Sequence, residues 1–218
     1  MADQRAEKIL KVLCTTFEMP TWTTTTRNPF ATLIATIISQ NTNDKNTARA
    51  FENLSNKFRI APETLAEAEI KQIENCLKIA GLYHNKARAI QQVSRIILKK
   101  YNSDLGQILS KPLDEAREEL LQLSGVGPKT ADVLLLFSAK KPTIPVDTHV
   151  NRVSKRLGLV AKEADYETVR KTLQLIYDPK NYLAVHILLI SHGRKYCKAK
   201  TPLCKECPLA KLCPSKHL

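Results

Sequence analysis

Aromatic residues are scarce. They make up 6% of the chain and include a single tryptophan, so rows of nucleic-acid bases stacked on rings are not the expected mode of binding. Glycine is scarce too, at six residues, which argues against a low-complexity or linker-rich chain. No apolar run approaches the roughly 18–20 residues that a membrane-spanning helix needs. The opening MADQRAEKILKVL lacks the apolar stretch of a signal peptide and has the period of an amphipathic helix. The expected setting is intracellular: cytoplasmic beside the nucleoid in a bacterium, or nuclear in a eukaryote. Acidic residues are also few, 21 against 34 lysines and arginines, for a net charge of +13. That imbalance points to a polyanionic partner, whether DNA, RNA or an anionic membrane surface, or else to a generally solvated basic surface.

What remains is ordinary globular material. With 218 residues, 43% of them hydrophobic, the chain can form one large domain or two small ones around a real core. Helical periodicity dominates. Ile9, Leu10, Leu13 and Phe17 share a face, and Pro20 with the following threonine run breaks the pattern. PFATLIATIISQ (29–40) starts with proline in a first helical turn and is apolar nearly all round, so it reads as a buried helix. Amphipathic helices are expected over 46–58, 62–80, 85–101 and 112–123, and a second buried one over 129–139. Three more follow over 147–159, 165–177 and 182–197. No convincing strand occurs, and KPTIPV (141–146), with two prolines, reads as an extended link. The expected fold is all-α.

The stretch LSGVGPKTAD (123–132) joins two of these helices. Gly125 and Gly127, on either side of Val126, permit backbone angles that other residues resist and leave room for another molecule to approach. Pro128 suits the first turn of the next helix. Backbone N–H groups at such a helix start, aided by the helix dipole, favour an anion such as a phosphate. The same segment could also be a plain helix–helix connection. Lys129 sits where the positive end of the dipole lowers an amine pKa, and a neutral amine is a nucleophile that forms Schiff bases. Asp147, in PVDTHV, is placed to cap the next helix, and its carboxylate could equally stabilise a cationic transition state. The two roles are compatible.

Six cysteines are present. Cys14 and Cys76 lie alone on helical patterns and are expected to be buried small hydrophobes. Cys197, Cys204, Cys207 and Cys213 form C-x6-C-x2-C-x5-C. Four thiolates in this pattern can close a tetrahedral zinc site or hold the corners of an iron–sulfur cubane, and spacing leaves both metals open, with unpaired thiols or disulfides as the remaining readings. Lys198 and Lys200 lie between the first two cysteines, where a pinned loop would present them to phosphates.

LSGVGPKTADVLL followed by IPVDTHVNRV resembles the endonuclease III branch of the helix-hairpin-helix DNA glycosylase superfamily. The likeness continues through LIATIISQNTNDKN, IAGLYHNKARAI, HGRKYC and the cysteine spacing, in order along nearly the whole chain. It implies a six-helix barrel domain (26–137) carrying the hairpin. It also implies a cluster domain built from both chain ends (1–25 and 138–218) around a [4Fe–4S] cluster on the four cysteines. The implied activity is that of a bifunctional DNA glycosylase/AP lyase on duplex DNA containing damaged bases or abasic sites, acting as a monomer. Lys129 would attack the deoxyribose C1′, and Asp147 would stabilise the developing charge. Oxidised pyrimidines are the expected lesions. Oxidised or alkylated purines, a mismatched base, or a non-catalytic DNA-binding role are the alternatives. DNA contacts are implied for Gly125, Val126, Gly127, Asn41, Leu82, His149, Lys198 and Lys200, with Leu82 as a wedge into the base stack or else a core leucine. Two positions depart from the family pattern. Asn41 stands where bacterial relatives commonly carry glutamine, and Pro128 where a basic residue often precedes the lysine.

Overall fold

The structure, a computed structural model, describes residues 4–20 and 28–216. The threonine run after Pro20 lies outside the described residues. Among those described there are twelve α-helices and no strand. The chain divides into two compact units, one made of 26–141 and the other of both ends, 1–25 and 142–218.

The 26–141 unit is organised around α2 (Pro29–Ser39), whose Leu33, Ile34, Ile37 and Ile38 are fully buried. A helix apolar all round can only be stable when surrounded, and α3 (Asp44–Lys57), α6 (Tyr83–Tyr101) and α9 (Pro128–Val133) pack against it. Asn28 caps α2, accepting from the N–H groups of Phe30 and Ala31 at 2.8 and 3.2 Å, and Pro29 occupies the first turn.

The single helix expected over 62–80 is interrupted. It runs as α4 (Pro62–Glu67), α5 (Ile70–Leu77) and a 3-10 turn over Lys78–Ala80. Ala68 and Glu69 are extended between them, and α6 supplies the reason. Gln91 and Arg95 donate side-chain N–H groups to the carbonyls of Ala68 and Ala66, at 2.7 and 3.1 Å. These bonds satisfy helix-end carbonyls that would otherwise be orphaned in packed surroundings. A short α7 (Gly106–Leu109) precedes α8 (Leu113–Leu121) and is too brief to leave a periodic signal. The helix expected over 129–139 begins as α9 and widens into a π turn over Leu134–Ser138.

In the unit built from both ends, α1 (Gln4–Thr16) packs on α12 (Tyr182–Lys195), and α10 (Thr148–Arg156) packs on α12 and α11 (Tyr166–Ile176). Ile9, Leu10 and Leu13 enter its core with Val150, Val153, Leu188 and Leu189. Gly193 permits the close approach of α10 and α12. A Cβ there would stand 3.0–3.1 Å from atoms of His149 and Val153. Cys76 is buried, as expected, but Cys14 is exposed. One residue along a helix is a rotation of about 100°, which turns Cys14 away from the buried Leu10–Leu13 stripe. The units divide between Lys141 and Pro142, past the expected 137/138. Lys141 N–H still bonds back to Leu135 O at 2.8 Å, whereas Thr143, Ile144 and Val146 are already buried.

Candidate functional site

The turn between α8 and α9 is fixed from several sides. Gly125 has φ +76°, and a Cβ on it would lie 2.7 Å from the Ala89 side chain of α6, so both its backbone angle and its neighbour require glycine. Gly127 differs. Its backbone is extended and a Cβ there would meet nothing within 4 Å, so intramolecular packing does not demand glycine and the space stays open. Gln40 donates its amide to Gly125 O at 2.9 Å, and Ser124 donates its hydroxyl to Gln92 of α6 at 2.6 Å. Val126 is buried, so the turn offers backbone and not an apolar side chain. Pro128 starts α9 as expected, and Lys129 follows, half-buried, in its first turn.

Two of the residues expected to contact DNA, both in this unit, have left-handed backbones. Asn41, exposed just after Gln40, has φ +53°. Leu82 has φ +48° and is 57% exposed, which excludes the core alternative. A left-handed leucine costs about 1–2 kcal/mol and persists only where its surroundings enforce it. The enforcement comes from Lys86, which is buried on α6. Its ammonium donates to Ala80 O at 2.8 Å, and its backbone N–H bonds Leu82 O at 3.1 Å. Burial pushes the Lys86 amine below its usual range. α6 thus starts just after Leu82 and backs the glycine turn through Ala89 and Gln92.

In the other unit, Asp147 is the N-cap of α10, with Oδ1 accepting from Val150 N–H at 2.7 Å. The chain before it is pinned by the Tyr166 hydroxyl, which accepts from Val146 N–H at 3.3 Å, and by His186 Nδ1, 2.8 Å from Pro145 O. His149 lies on α10 with Nδ1 3.0 Å from the Arg152 guanidinium.

The four C-terminal cysteines line one solvent-open pocket, together with Arg156, Leu157, His192 and Tyr196. Arginines hold its frame. Arg152 donates to Cys197 O at 3.0 Å and Gly193 O at 3.1 Å, and Arg156 to Lys198 O and Ala199 O at 2.7 and 2.8 Å. Arg5 of α1 bonds Leu157 O and Leu212 O. Lys198 and Lys200 stay exposed on this anchored loop. His192 Nε2 is 3.6 Å from Cys207 Sγ. Burial, with the neighbouring cysteines adding to it, pushes the Cys207 and Cys213 thiols up, so a bound metal must displace their protons. Burial lowers His192 to about 4, leaving it neutral at physiological pH. Among the described residues no group of three or more His, Cys, Asp or Glu side chains converges to hold a single metal ion. An all-sulfur donor set spread around a cavity fits a multi-iron cluster, whose corners each take one thiolate.

Sequence reasoning did not assign Lys86, Arg5, Arg152, Arg156 or His192. The basic last turn of α10 and the histidine of HGRKYC were visible, but their partners are backbone or sulfur atoms distant in sequence.

A glycine turn between two helices, set in an all-α chain whose C-terminus forms a basic four-cysteine loop, defines a helix-hairpin-helix protein. The family model for the HhH-GPD superfamily of base excision DNA repair proteins matches residues 34–179, and the chain belongs to that family. It is 36% identical over 189 residues to endonuclease III of Sulfolobus acidocaldarius, covering 86% of this chain and 82% of that protein. It is 34% identical over 213 residues to endonuclease III of Rickettsia prowazekii, covering 98% and 96%. A trapped endonuclease III–DNA covalent intermediate matches with a TM-score of 0.87 at 35% identity, over 99% of this chain and 97% of that one.

Proposed function

We propose that this chain is a bifunctional DNA glycosylase/AP lyase of base excision repair, acting as a monomer on duplex DNA. The observation that carries the reading is Lys129, half-buried in the first turn of α9 behind a glycine turn whose Gly127 side is open. The turn takes a phosphate on backbone N–H groups. Leu82, exposed and locked, enters the base stack as the damaged nucleotide leaves it. Asn41, also exposed and left-handed, faces the vacated position.

Lys129 attacks C1′ as a neutral amine, and the C1′–base bond breaks with its electron pair leaving on the base. Asp147 stabilises the oxocarbenium-like charge and relays the amine proton. The sugar ring then opens to a protonated Schiff base. Loss of a C2′ proton expels the 3′ phosphate, so the strand is cut by β-elimination, and water frees the lysine.

Cys197, Cys204, Cys207 and Cys213 hold a [4Fe–4S] cluster in this reading. When bound, the cluster supplies a rigid four-point cross-link and a one-electron centre. The anchored loop presents Lys198 and Lys200 to phosphates, and His149 adds a contact from α10. The barrel-and-cluster organisation, with the barrel in the 26–141 unit and the cluster in the unit built from both chain ends, belongs to the same proposal. Oxidised pyrimidines are the proposed lesions. Duplexes each carrying one oxidised pyrimidine, 8-oxoguanine, alkylated adenine or mismatch test this. Release and nicking only at a purine lesion would overturn the pyrimidine assignment, and no release from any of them would overturn the glycosylase.

A further inference from the structure

His192 lies on α12 at 1% exposure. Its ring is enclosed by Phe17, edge-on at 6.4 Å, and Tyr196 at 5.7 Å. Cys207 Sγ lies 3.6 Å from Nε2, while Nδ1 has no hydrogen-bond partner among the described residues. Those positions decide where the ring carries hydrogen. On Nδ1 it would be an orphaned donor in apolar surroundings, and the Nε2 lone pair would face the sulfur lone pairs. On Nε2 it points at sulfur, and the one group left unsatisfied is an acceptor. The second arrangement avoids both penalties.

We propose that His192 is a positioning residue for the iron–sulfur cluster, whose Nε2–H donates to the Cys207 thiolate and raises the cluster's reduction potential. The inference rests on the reading that the four cysteines hold a [4Fe–4S] cluster. One-electron reduction adds negative charge to the cluster and its thiolates. A buried N–H dipole aimed at a ligand sulfur stabilises the more negative state, and low local polarity strengthens the effect. The electron comes from an external one-electron donor, and no proton need move. Arg156 Nη1 lies 3.6 Å from Cys197 Sγ. Donors therefore address two of the four ligands, and the His192 bond is the one shielded by aromatic rings.

The test compares wild type with His192→Phe and His192→Gln, each analysed for iron and then poised at an electrode with mediators. Phenylalanine keeps a ring between Phe17 and Tyr196 and removes the donor, whereas glutamine keeps an N–H at similar reach. At the wild-type midpoint the reduced-to-oxidised ratio of His192→Phe falls by roughly threefold to tenfold, tenfold being 59 mV for one electron. His192→Gln recovers most of that loss. A second measurement needs no variant. Wild type labelled with ¹⁵N-histidine shows a weak nitrogen coupling to the paramagnetic cluster. An iron-free wild type would overturn the cluster reading and the proposal with it. An iron-loaded wild type without ¹⁵N coupling, or a His192→Phe protein with an unchanged midpoint, would overturn the His192 role alone.

Discussion

Arg117 of α8 and Asp132 of α9 form a two-pronged ion pair across the helical hairpin, with Nε–Oδ1 at 3.0 Å and Nη2–Oδ2 at 3.3 Å. The Asp132 carboxylate is fully buried. Lys129 lies one helical turn before Asp132, so the pair fixes the frame on which the lysine stands. Asp132→Ala leaves a largely buried guanidinium without this partner and costs about 3 kcal/mol or more. Urea unfolding checks this, and a midpoint equal to wild type would remove the pair from the account of hairpin rigidity.

Leu82→Ala separates function from stability. The side chain is 57% exposed, so truncation loses little burial and the melting temperature stays within a few degrees of wild type. Preference for lesion-containing over undamaged duplex falls, because an alanine is too short to occupy a gap in the base stack. Leu82→Gly shares that defect but melts higher than Leu82→Ala, since glycine relieves the left-handed φ of +48°. Equal lesion preference in wild type and Leu82→Ala would return the residue to a passive surface role.

The sequence already carried much of this. Pro29, Pro128 and Asp147 mark helix starts that the structure places where local chemistry puts them, because a cap depends on neighbours in sequence. The cysteine spacing and the GVGPK turn were legible for the same reason. The break at Ala68–Glu69 was not, because Gln91 and Arg95 of α6 stabilise it from more than twenty residues away. Leu82 after Gly81 is compatible with a core leucine or an exposed one, and the buried Lys86 bond to Ala80 O decides between them. Arg5 reaches carbonyls more than 150 residues along the chain, a contact that periodicity cannot encode.

Asp147→Asn tests chemistry apart from capping. Asparagine caps a helix about as well as aspartate, so α10 and the melting temperature survive. Base excision slows by about 100-fold or more, the scale set by losing a few kcal/mol of transition-state charge stabilisation. Single-turnover excision beside a DNA-binding titration gives both numbers. Near-normal excision would leave Asp147 as a cap only.

Glu119 gives the pH dependence a sign. Lys111 Nζ at 2.5 Å and the Tyr101 hydroxyl at 2.6 Å both bond its carboxylate and hold its pKa below the ordinary 4.5. A carboxyl with a depressed folded pKa contributes stability above its unfolded pKa and loses it as pH falls through the folded value. Glu119→Gln is therefore less stable than wild type at pH 7, by about 1 kcal/mol after allowance for solvent screening. The difference shrinks as pH falls below 4.5. A gap that stays constant from pH 7 to acid would contradict this assignment.

Borohydride trapping on a duplex with a single oxidised pyrimidine addresses Lys129 directly. Reduction converts the transient Schiff base into a stable amine, so the wild type gives a covalent protein–DNA adduct, and peptide mapping places the adduct on Lys129. Lys129→Gln, which keeps the turn and its phosphate contact, binds the same duplex but gives no adduct and no strand cleavage. An adduct from Lys129→Gln as abundant as that from wild type would contradict the account at its centre.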